Sequence, residues 1–175
     1  MIFKGEFGKM KRIICVLCVM MMCLTGCGGG KGSSSGNEKD GLKAVVKGNI
    51  EIELGKSAAE VIKTLGEPDK YEEAASCYFD GMDKVYNYGS FEIRTYPDGD
   101  DDMVQDVCIM QPGDKAAGSE ITVGSSLDDV LKAYGDNYSL VGKMYKYYYD
   151  DVRYTYFFIM DDAVKYFGYG IDVKN

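Results

Sequence analysis

The sequence predicts an α+β protein in which two tandem copies of a helix and an antiparallel meander form one curved sheet, with both helices on one face. Two observations predict this fold. Fifteen-residue stretches beginning at Ile52 and Ile121 match each other 69 residues apart. Each stretch is followed by short segments rich in tyrosine and valine, the pattern of strands.

The first 26 residues have the composition of an export signal. Two basic residues precede an apolar run of twelve residues, 13–24. This run is shorter than the roughly 20 residues needed to span a bilayer, and it has the length of a signal-peptide core. It ends in Leu-Thr-Gly-Cys at 24–27, which resembles the lipobox of bacterial lipoproteins. We therefore expect a lipoprotein signal peptide over 1–26 and a lipid on Cys27.

The segment 27–41 continues from the expected lipidation site with glycine and serine, and it predicts a flexible tether. A tether of this length and composition spans roughly 20 Å. Residues 1–27 carry four of the 20 basic and one of the 28 acidic residues, so the remainder has a net charge of −11. Anionic lipid headgroups repel so acidic a surface. Attachment to the membrane is therefore expected through the lipid anchor only.

Residues 42–112 are expected to form the first copy. Ser57 stands three residues before Glu60, which is the pattern of a capping box and predicts the start of a helix. Apolar residues follow on one side, and Gly66 predicts the end of the helix with an αL cap. Strands are predicted near 75–79, 84–88, 90–96 and 103–110, with a turn at 97–100.

Residues 113–175 are expected to form the second copy. Ser126 and Asp129 repeat the N-terminal signal of the first helix, and Gly135 repeats the C-terminal one. Pairs of aspartates separate the strand-like segments that follow. Strands are predicted at 143–149, 152–160 and 163–171.

The repeated motif reads Gly-x-Ser-x-x-(Asp/Glu)-Val-(Ile/Leu)-Lys-x-(Leu/Tyr)-Gly and is followed by Tyr-x-Tyr strands. It resembles the repeat of β-lactamase inhibitor proteins, a small fold that also occurs in outer-membrane assembly lipoproteins of the SmpA/OmlA type. The resemblance covers residues from about 45 to 173. It implies a continuous sheet whose concave face binds a protein partner. It does not imply inhibition of β-lactamase, because none of the loop residues responsible maps onto this chain.

Composition excludes several kinds of chemistry. The chain has no histidine and no tryptophan, which excludes Ser-His-Asp triads and histidine-ligated zinc. Its 28 acidic and 20 basic residues give a formal charge of −8, and so acidic a protein is not expected to bind nucleic acid. Acidic residues fall at turns and helix starts, where the fold accounts for them. We therefore expect no enzyme activity and no cofactor.

Two cysteines and a cluster of aspartates are further candidate sites. Cys77 and Cys108 are the two cysteines beyond the signal and the expected lipidation site. Export permits a disulfide between them, and two small buried hydrophobic side chains are an equal alternative. The acidic turn 98–102, with Asp106 beyond it, departs from a calcium loop because Met103 stands where an EF-hand has glycine. We expect a solvated turn and no metal site.

Ten of the 15 tyrosines lie between Tyr134 and Tyr169. Both faces of the second copy are therefore aromatic, whereas a solvated face alternates with polar residues. Tyrosine is enriched at protein interfaces, and core packing is the alternative explanation. Strand alternation alone does not tell which face is open. The candidate binding residues are Tyr145, Tyr147, Tyr149, Arg153 and Phe157.

Together these features predict an extracytoplasmic lipoprotein, anchored to the cell membrane by lipid, that is a non-enzymatic protein-binding module. An aromatic sheet face is expected to bind an unidentified envelope or secreted protein. One alternative is a lipoprotein with a structural or assembly role in the envelope. Another alternative is a sensor of small ligands or of the cell wall.

Overall fold

An eight-stranded antiparallel sheet runs through the part of the chain that the computed structural model describes, residues 43–173. These residues belong to one compact unit, and the expected signal, lipidation site and tether over 1–41 lie outside them. The elements in chain order are β1 (Lys43–Val46), β2 (Ile50–Glu53), α1 (Ala58–Leu65), β3 (Lys70–Ala75), β4 (Met82–Asn87), β5 (Phe91–Asp98), β6 (Asp101–Ile109), α2 (Leu127–Tyr134), β7 (Ser139–Val141), β8 (Met144–Tyr148), β9 (Arg153–Met160) and β10 (Ala163–Ile171).

Two runs of four strands make up this sheet. The strand order is β3-β4-β5-β6-β10-β9-β8-β7, and every neighbouring pair is antiparallel. Strands β6 and β10 join the two runs at the centre, while β1 and β2 form a separate hairpin. The fold is therefore α+β and mostly antiparallel sheet, as the sequence predicts. Within residues 43–173 no helix has the length and apolar character to span a membrane.

Strand positions differ from the predicted ones mainly at the edges of the sheet. A strand was expected near 75–79, but β3 lies at Lys70–Ala75 and is exposed along its whole length. Its sequence, Lys-Tyr-Glu-Glu-Ala-Ala, lacks apolar alternation because both of its faces meet solvent. Pairing with β4 forms this strand, and neither it nor the short β7 carries a local signal that predicts it.

The helix N-termini are capped by the predicted serines, but the reciprocal capping box forms at the second helix. Asp129 N–H donates to Ser126 Oγ at 3.1 Å, and Ser126 N–H donates to Asp129 Oδ2 at 3.3 Å. Ser57 Oγ accepts only from Ala59 N–H, at 3.4 Å. The prediction that the first helix carries the capping box is therefore wrong, while both helix starts are correct.

Both helices end at a glycine that is held by a tyrosine. Gly66 has φ 79° and ψ −165°, and Gly135 has φ 83° and ψ −169°. These values combine positive φ with extended ψ, a region accessible essentially to glycine alone, and differ from the predicted αL cap. Tyr88 Oη donates to the Gly66 carbonyl and Tyr147 Oη to the Gly135 carbonyl, each at 3.1 Å. A buried phenol thus satisfies a carbonyl at each helix end.

The residues before each helix are tied to the last strand of the four that follow it. Gly55 N–H donates to the Val104 carbonyl at 2.7 Å, and Val104 N–H donates back to the residue after Gly55 at 2.8 Å. Gly124 N–H likewise donates to the Val164 carbonyl, and Val164 N–H donates back to the residue after Gly124, both at 2.8 Å. These bonds fix where each helix begins relative to β6 or β10.

One hydrophobic core joins the helices to one face of the sheet, here called the core face. Ile93, Val107, Phe157 and Phe167 line it and are fully buried. Apolar residues of both helices, such as Val61 and Val130, belong to the same cluster. Full burial of each such aliphatic or aromatic side chain contributes roughly 1.5–3 kcal/mol, and the sum holds the layers together.

Replacing Tyr147 by Phe is expected to lower the free energy of unfolding by about 1 kcal/mol, because the Gly135 carbonyl loses its hydrogen bond while the ring stays packed. Tyr88→Phe should have a similar effect at Gly66. Tyr138→Phe is the control, because its hydroxyl makes no hydrogen bond among the described residues. Urea unfolding monitored by circular dichroism measures all three. Equal stability of the Tyr147 and Tyr138 variants would contradict the capping role.

Candidate binding groove on the open sheet face

The face of the sheet opposite the core, here called the open face, is covered by no helix of the described residues. Strand register aligns two rows of side chains across its centre. One row is Arg94, Asp106, Gly170, Tyr154 and Tyr148, and the other is Glu92, Cys108, Gly168, Tyr156 and Lys146. Charged, aromatic and glycine residues therefore meet on neighbouring strands that are distant in sequence.

These rows form the floor of a groove of about 580 Å³. The groove holds the carboxylates of Glu92 and Asp106, the cations Arg94 and Lys146, and three tyrosine rings. A depression of similar volume, about 550 Å³, lies beside α1, but charged residues in its lining such as Lys56 and Glu60 are exposed. In the open-face groove Glu92, Asp106 and Lys146 are partly buried, and this distinguishes it as the candidate site.

Two glycines of β10 allow tyrosine rings of β9 to lie across the sheet. A Cβ atom on Gly168 would come within 2.5 Å of Tyr156 Oη, and one on Gly170 within 2.6 Å of Tyr154 Cζ. Real Cβ contacts are not so short, so any other residue would displace the rings. The glycines thus lower the floor at the centre of the sheet and aim both phenols towards β6.

Asp106 lies at the bottom of the groove, where protein atoms enclose most of its carboxylate. Tyr156 Oη donates to its Oδ1 at 3.0 Å. Burial raises the pKa of Asp106 to about 6, although nearby Arg94 and the Tyr156 hydrogen bond favour the charged form. Burial also raises the pKa of Tyr156 well above its ordinary value, so this phenol remains a donor.

The two cations of the groove already have carboxylate partners. Arg94 Nη2 lies 3.2 Å from Glu92 Oε2. Lys146 Nζ lies 3.6 Å from Asp172 Oδ1 and 3.8 Å from the centroid of the Tyr154 ring. The ammonium is therefore held by a carboxylate and by an aromatic face.

Cys108 and Cys77 are both free thiols, and the disulfide left open by the sequence does not form. Cys77 lies beyond the paired ends of β3 and β4, whereas Cys108 shares a row with Asn87, five residues along β4 from Met82. That offset corresponds to about 17 Å, and a disulfide needs Cα atoms within roughly 7 Å. Burial raises the pKa of Cys108 to about 12, so its thiol is protonated and is not a nucleophile.

The binding residues expected from the sequence lie on the core face. Phe157 is fully buried and Tyr147 is 7% exposed, and their rings pack together at 6.0 Å between centroids. Tyr145 is half-buried against the same core. Core packing therefore accounts for these three residues, which corrects the predicted binding face: alternation left two aromatic faces, and the helices cover this one.

Tyr149 and Arg153 are the two remaining residues of the expected binding set. Tyr149 is half exposed, and its hydroxyl is 2.7 Å from Thr155 Oγ1. Arg153 Nε donates to Asp150 Oδ2 at 2.6 Å, beside the turn between β8 and β9. These two residues border the core face, away from the groove.

The groove is not evident from the sequence, because its residues become neighbours only through strand register. One signal was present: Gly168-x-Gly170 in one strand and Tyr154-x-Tyr156 in the preceding one have complementary sizes. The acidic turn between β5 and β6 lies outside the groove. Beside this turn, Lys84 Nζ lies 2.6 Å from Asp102 Oδ2. In residues 43–173 no three His, Cys, Asp or Glu side chains are grouped so as to hold a metal ion.

Comparison with protein-family models, curated proteins and solved structures finds no match to this chain. The geometry of the groove therefore carries the functional inference. The protonated Cys108 thiol and the protonated, hydrogen-bonded Tyr156 phenol are not activated nucleophiles. Rings and paired charges on an uncovered sheet face are suited to binding.

Asp106→Asn is expected to raise the free energy of unfolding at pH 7.5. The folded-state pKa of Asp106 lies near 6 instead of 3.8, so ionising this carboxylate costs stability progressively as pH rises from about 4 to 6. The full difference corresponds to about 3 kcal/mol at neutral pH. Urea unfolding of wild type and variant at pH 4.0 and 7.5 measures it.

The difference in stability between the two proteins should be small at pH 4.0 and close to its full size at pH 7.5. Asp100→Asn, which removes a charge from the exposed turn, is the matched control. A gap between wild type and Asp106→Asn that does not change with pH would refute the assigned burial cost.

Proposed function

We propose that this protein is a lipid-anchored, extracytoplasmic, non-enzymatic binding protein that takes a protein partner on the open face of its sheet. The observation that carries this proposal is an aromatic surface the core does not need. Phe158 and Tyr166 stack at 4.6 Å between centroids with nearly parallel planes, and Tyr148 packs on Tyr154 at 5.3 Å. Aromatic rings on an uncovered face favour association with another protein.

The domain is proposed to consist of two tandem copies, 42–112 and 113–175. Each copy contains a helix followed by four antiparallel strands. In support, the same pair of backbone hydrogen bonds ties Gly55 and the residue after it to Val104, and Gly124 and the residue after it to Val164. The hydrogen bond from a tyrosine to the glycine after the helix also recurs. Such a repeat predicts one continuous sheet, long enough to carry an extended binding surface.

Attachment to the outer side of the cell membrane rests on the signal and lipobox of residues 1–27. The strongly acidic remainder is unsuited to contact anionic headgroups directly. A glycine- and serine-rich tether between lipid and domain would leave the open face accessible. A membrane-bound receptor or inhibitor of an envelope or secreted protein has this organisation.

Cys27→Ser is expected to abolish incorporation of labelled palmitate, because serine has no thiol to carry the lipid. Cys23→Ser is the matched control, since it removes a neighbouring cysteine from the apolar run. Metabolic labelling and mass spectrometry of the mature N-terminus measure the modification. Palmitate retained by the Cys27 variant would refute the anchor.

Photo-crosslinking tests the binding face. Tyr148 and Tyr149 are adjacent and similarly exposed, at 43% and 52%, but point to opposite faces. The hydroxyl of Tyr148 contacts Asp172 at 2.8 Å and that of Tyr149 lies by Thr155. Benzophenylalanine at position 148 of the full-length chain is expected to give a discrete protein adduct in the producing cells.

The same probe at position 149 should give little of that adduct, because it borders the core face. Mass spectrometry of the adduct identifies the partner. Equal adducts at both positions, an adduct at 149 alone, or none at either position would count against binding through the open face.

A further inference from the structure

Both cations of the groove are already paired, one of them with a carboxylate outside the groove lining, so three carboxylates share two cations. Glu92 is paired with Arg94 and Asp172 with Lys146. Asp106 is the third carboxylate, and among the described residues it forms no ion pair and accepts one hydrogen bond, from Tyr156. The groove can therefore accept one more cation without leaving a charge unbalanced.

The second carboxylate oxygen of Asp106 is available to a ligand. It has no hydrogen-bond donor among the described residues. Among those residues Thr95 Oγ1 is the one side-chain atom that is both fully buried and without a partner, so this Asp106 oxygen is accessible. It therefore faces the groove. The raised pKa of Asp106 shows that the protein restores only part of the hydration that this carboxylate has lost. A cation donating to that oxygen would supply the missing interaction.

The aromatic lining suits the stem and head of a basic side chain. Tyr154, Tyr156 and Tyr166 line the same groove as Asp106, and Met144 adds an apolar wall. The protein already seats one ammonium in this way, because Lys146 lies over the Tyr154 ring. Methylene groups pack on such rings while the charged head reaches the carboxylate.

The charge of the whole domain favours the same ligand. The chain beyond residue 27 has a net charge of −11, which attracts basic partners and repels acidic ones. The Arg94–Asp106 row is the row nearer to one end of the strands, and that end is acidic. It carries the turns 98–101 and 149–152 and residue Asp172. A basic segment approaching this end meets a favourable field before it reaches the groove.

We propose that the groove receives a lysine or arginine side chain of the partner, and that Asp106 is the carboxylate that binds it. This inference rests on the proposed protein-binding function. Arg94, Glu92 and Lys146 then frame the entering side chain, and Tyr156 orients Asp106. An acidic side chain is excluded, because it would place a second negative charge beside an unpaired carboxylate.

Hexalysine is the probe, titrated at low salt into the full-length protein purified in a neutral detergent and followed by calorimetry. Asp106→Asn is expected to weaken binding roughly tenfold, because a hydrogen bond to a charged group is lost. Asp100→Asn removes the same charge from an exposed turn outside the groove, and it should change affinity by less than about twofold.

The methionine methyl groups locate the probe. With methyl-labelled methionine, the signal of Met144 in the groove should shift on adding hexalysine, while that of Met160 outside it should not. Hexaglutamate should shift neither signal. Equal loss of affinity in the two aspartate variants, or an unmoved Met144 signal, would overturn the role of Asp106.

The crosslinking and titration results separate the two proposals. A partner at position 148, with hexalysine indifferent to Asp106, would leave protein binding standing and overturn the basic-side-chain inference. Binding of hexalysine through Asp106, with no partner at position 148, would support the cation site and count against the protein-binding function.

Discussion

The antiparallel pairing of β6 with β10 is the contact on which the rest of the structure depends. It joins residues some 60 positions apart, such as Ile109 with Phe167 and Asp106 with Gly170. On one face it merges the apolar residues of both four-stranded runs into a single core. On the other face it sets Asp106 beside strands of the second run, where the hydroxyl of Tyr156 in β9 donates to it. The pairing that forms the core thus also brings the residues of the groove together.

Burial has opposite effects on stability at the two faces of the central strands. On the core face, buried side chains are apolar and add stability. On the open face, burial of Asp106 opposes ionisation and reduces stability. Arg94 and Tyr156 offset part of that cost without pairing the carboxylate fully. At the floor of the groove the charged form of Asp106 is therefore unfavourable, and the stability of the packed core face beneath it offsets that cost.

Local signals predicted the helices and the long hairpin strands, because a serine before a helix and Gly66 or Gly135 after it act over a few residues. They did not predict β3, whose exposed sequence becomes a strand only by pairing. The choice of binding face was wrong for a related reason. Neighbouring side chains such as Lys146 and Tyr147 point to opposite faces of the strand. Where both faces carry aromatic residues, this alternation does not tell which face is buried. The side that the helices cover is decided by contacts between distant segments.

Outer strands β3 and β7 leave unpaired backbone groups at both edges of the eight-stranded sheet. Proteins held by a lipid anchor would be concentrated in two dimensions, where collisions between sheet edges are frequent. Strand β3 carries the charged residues Lys70, Glu72 and Glu73, and β7 is only three residues long. Charge at one edge and brevity at the other disfavour the growth of one sheet into the next. Molecules crowded on a surface can therefore remain separate, each with its own groove free.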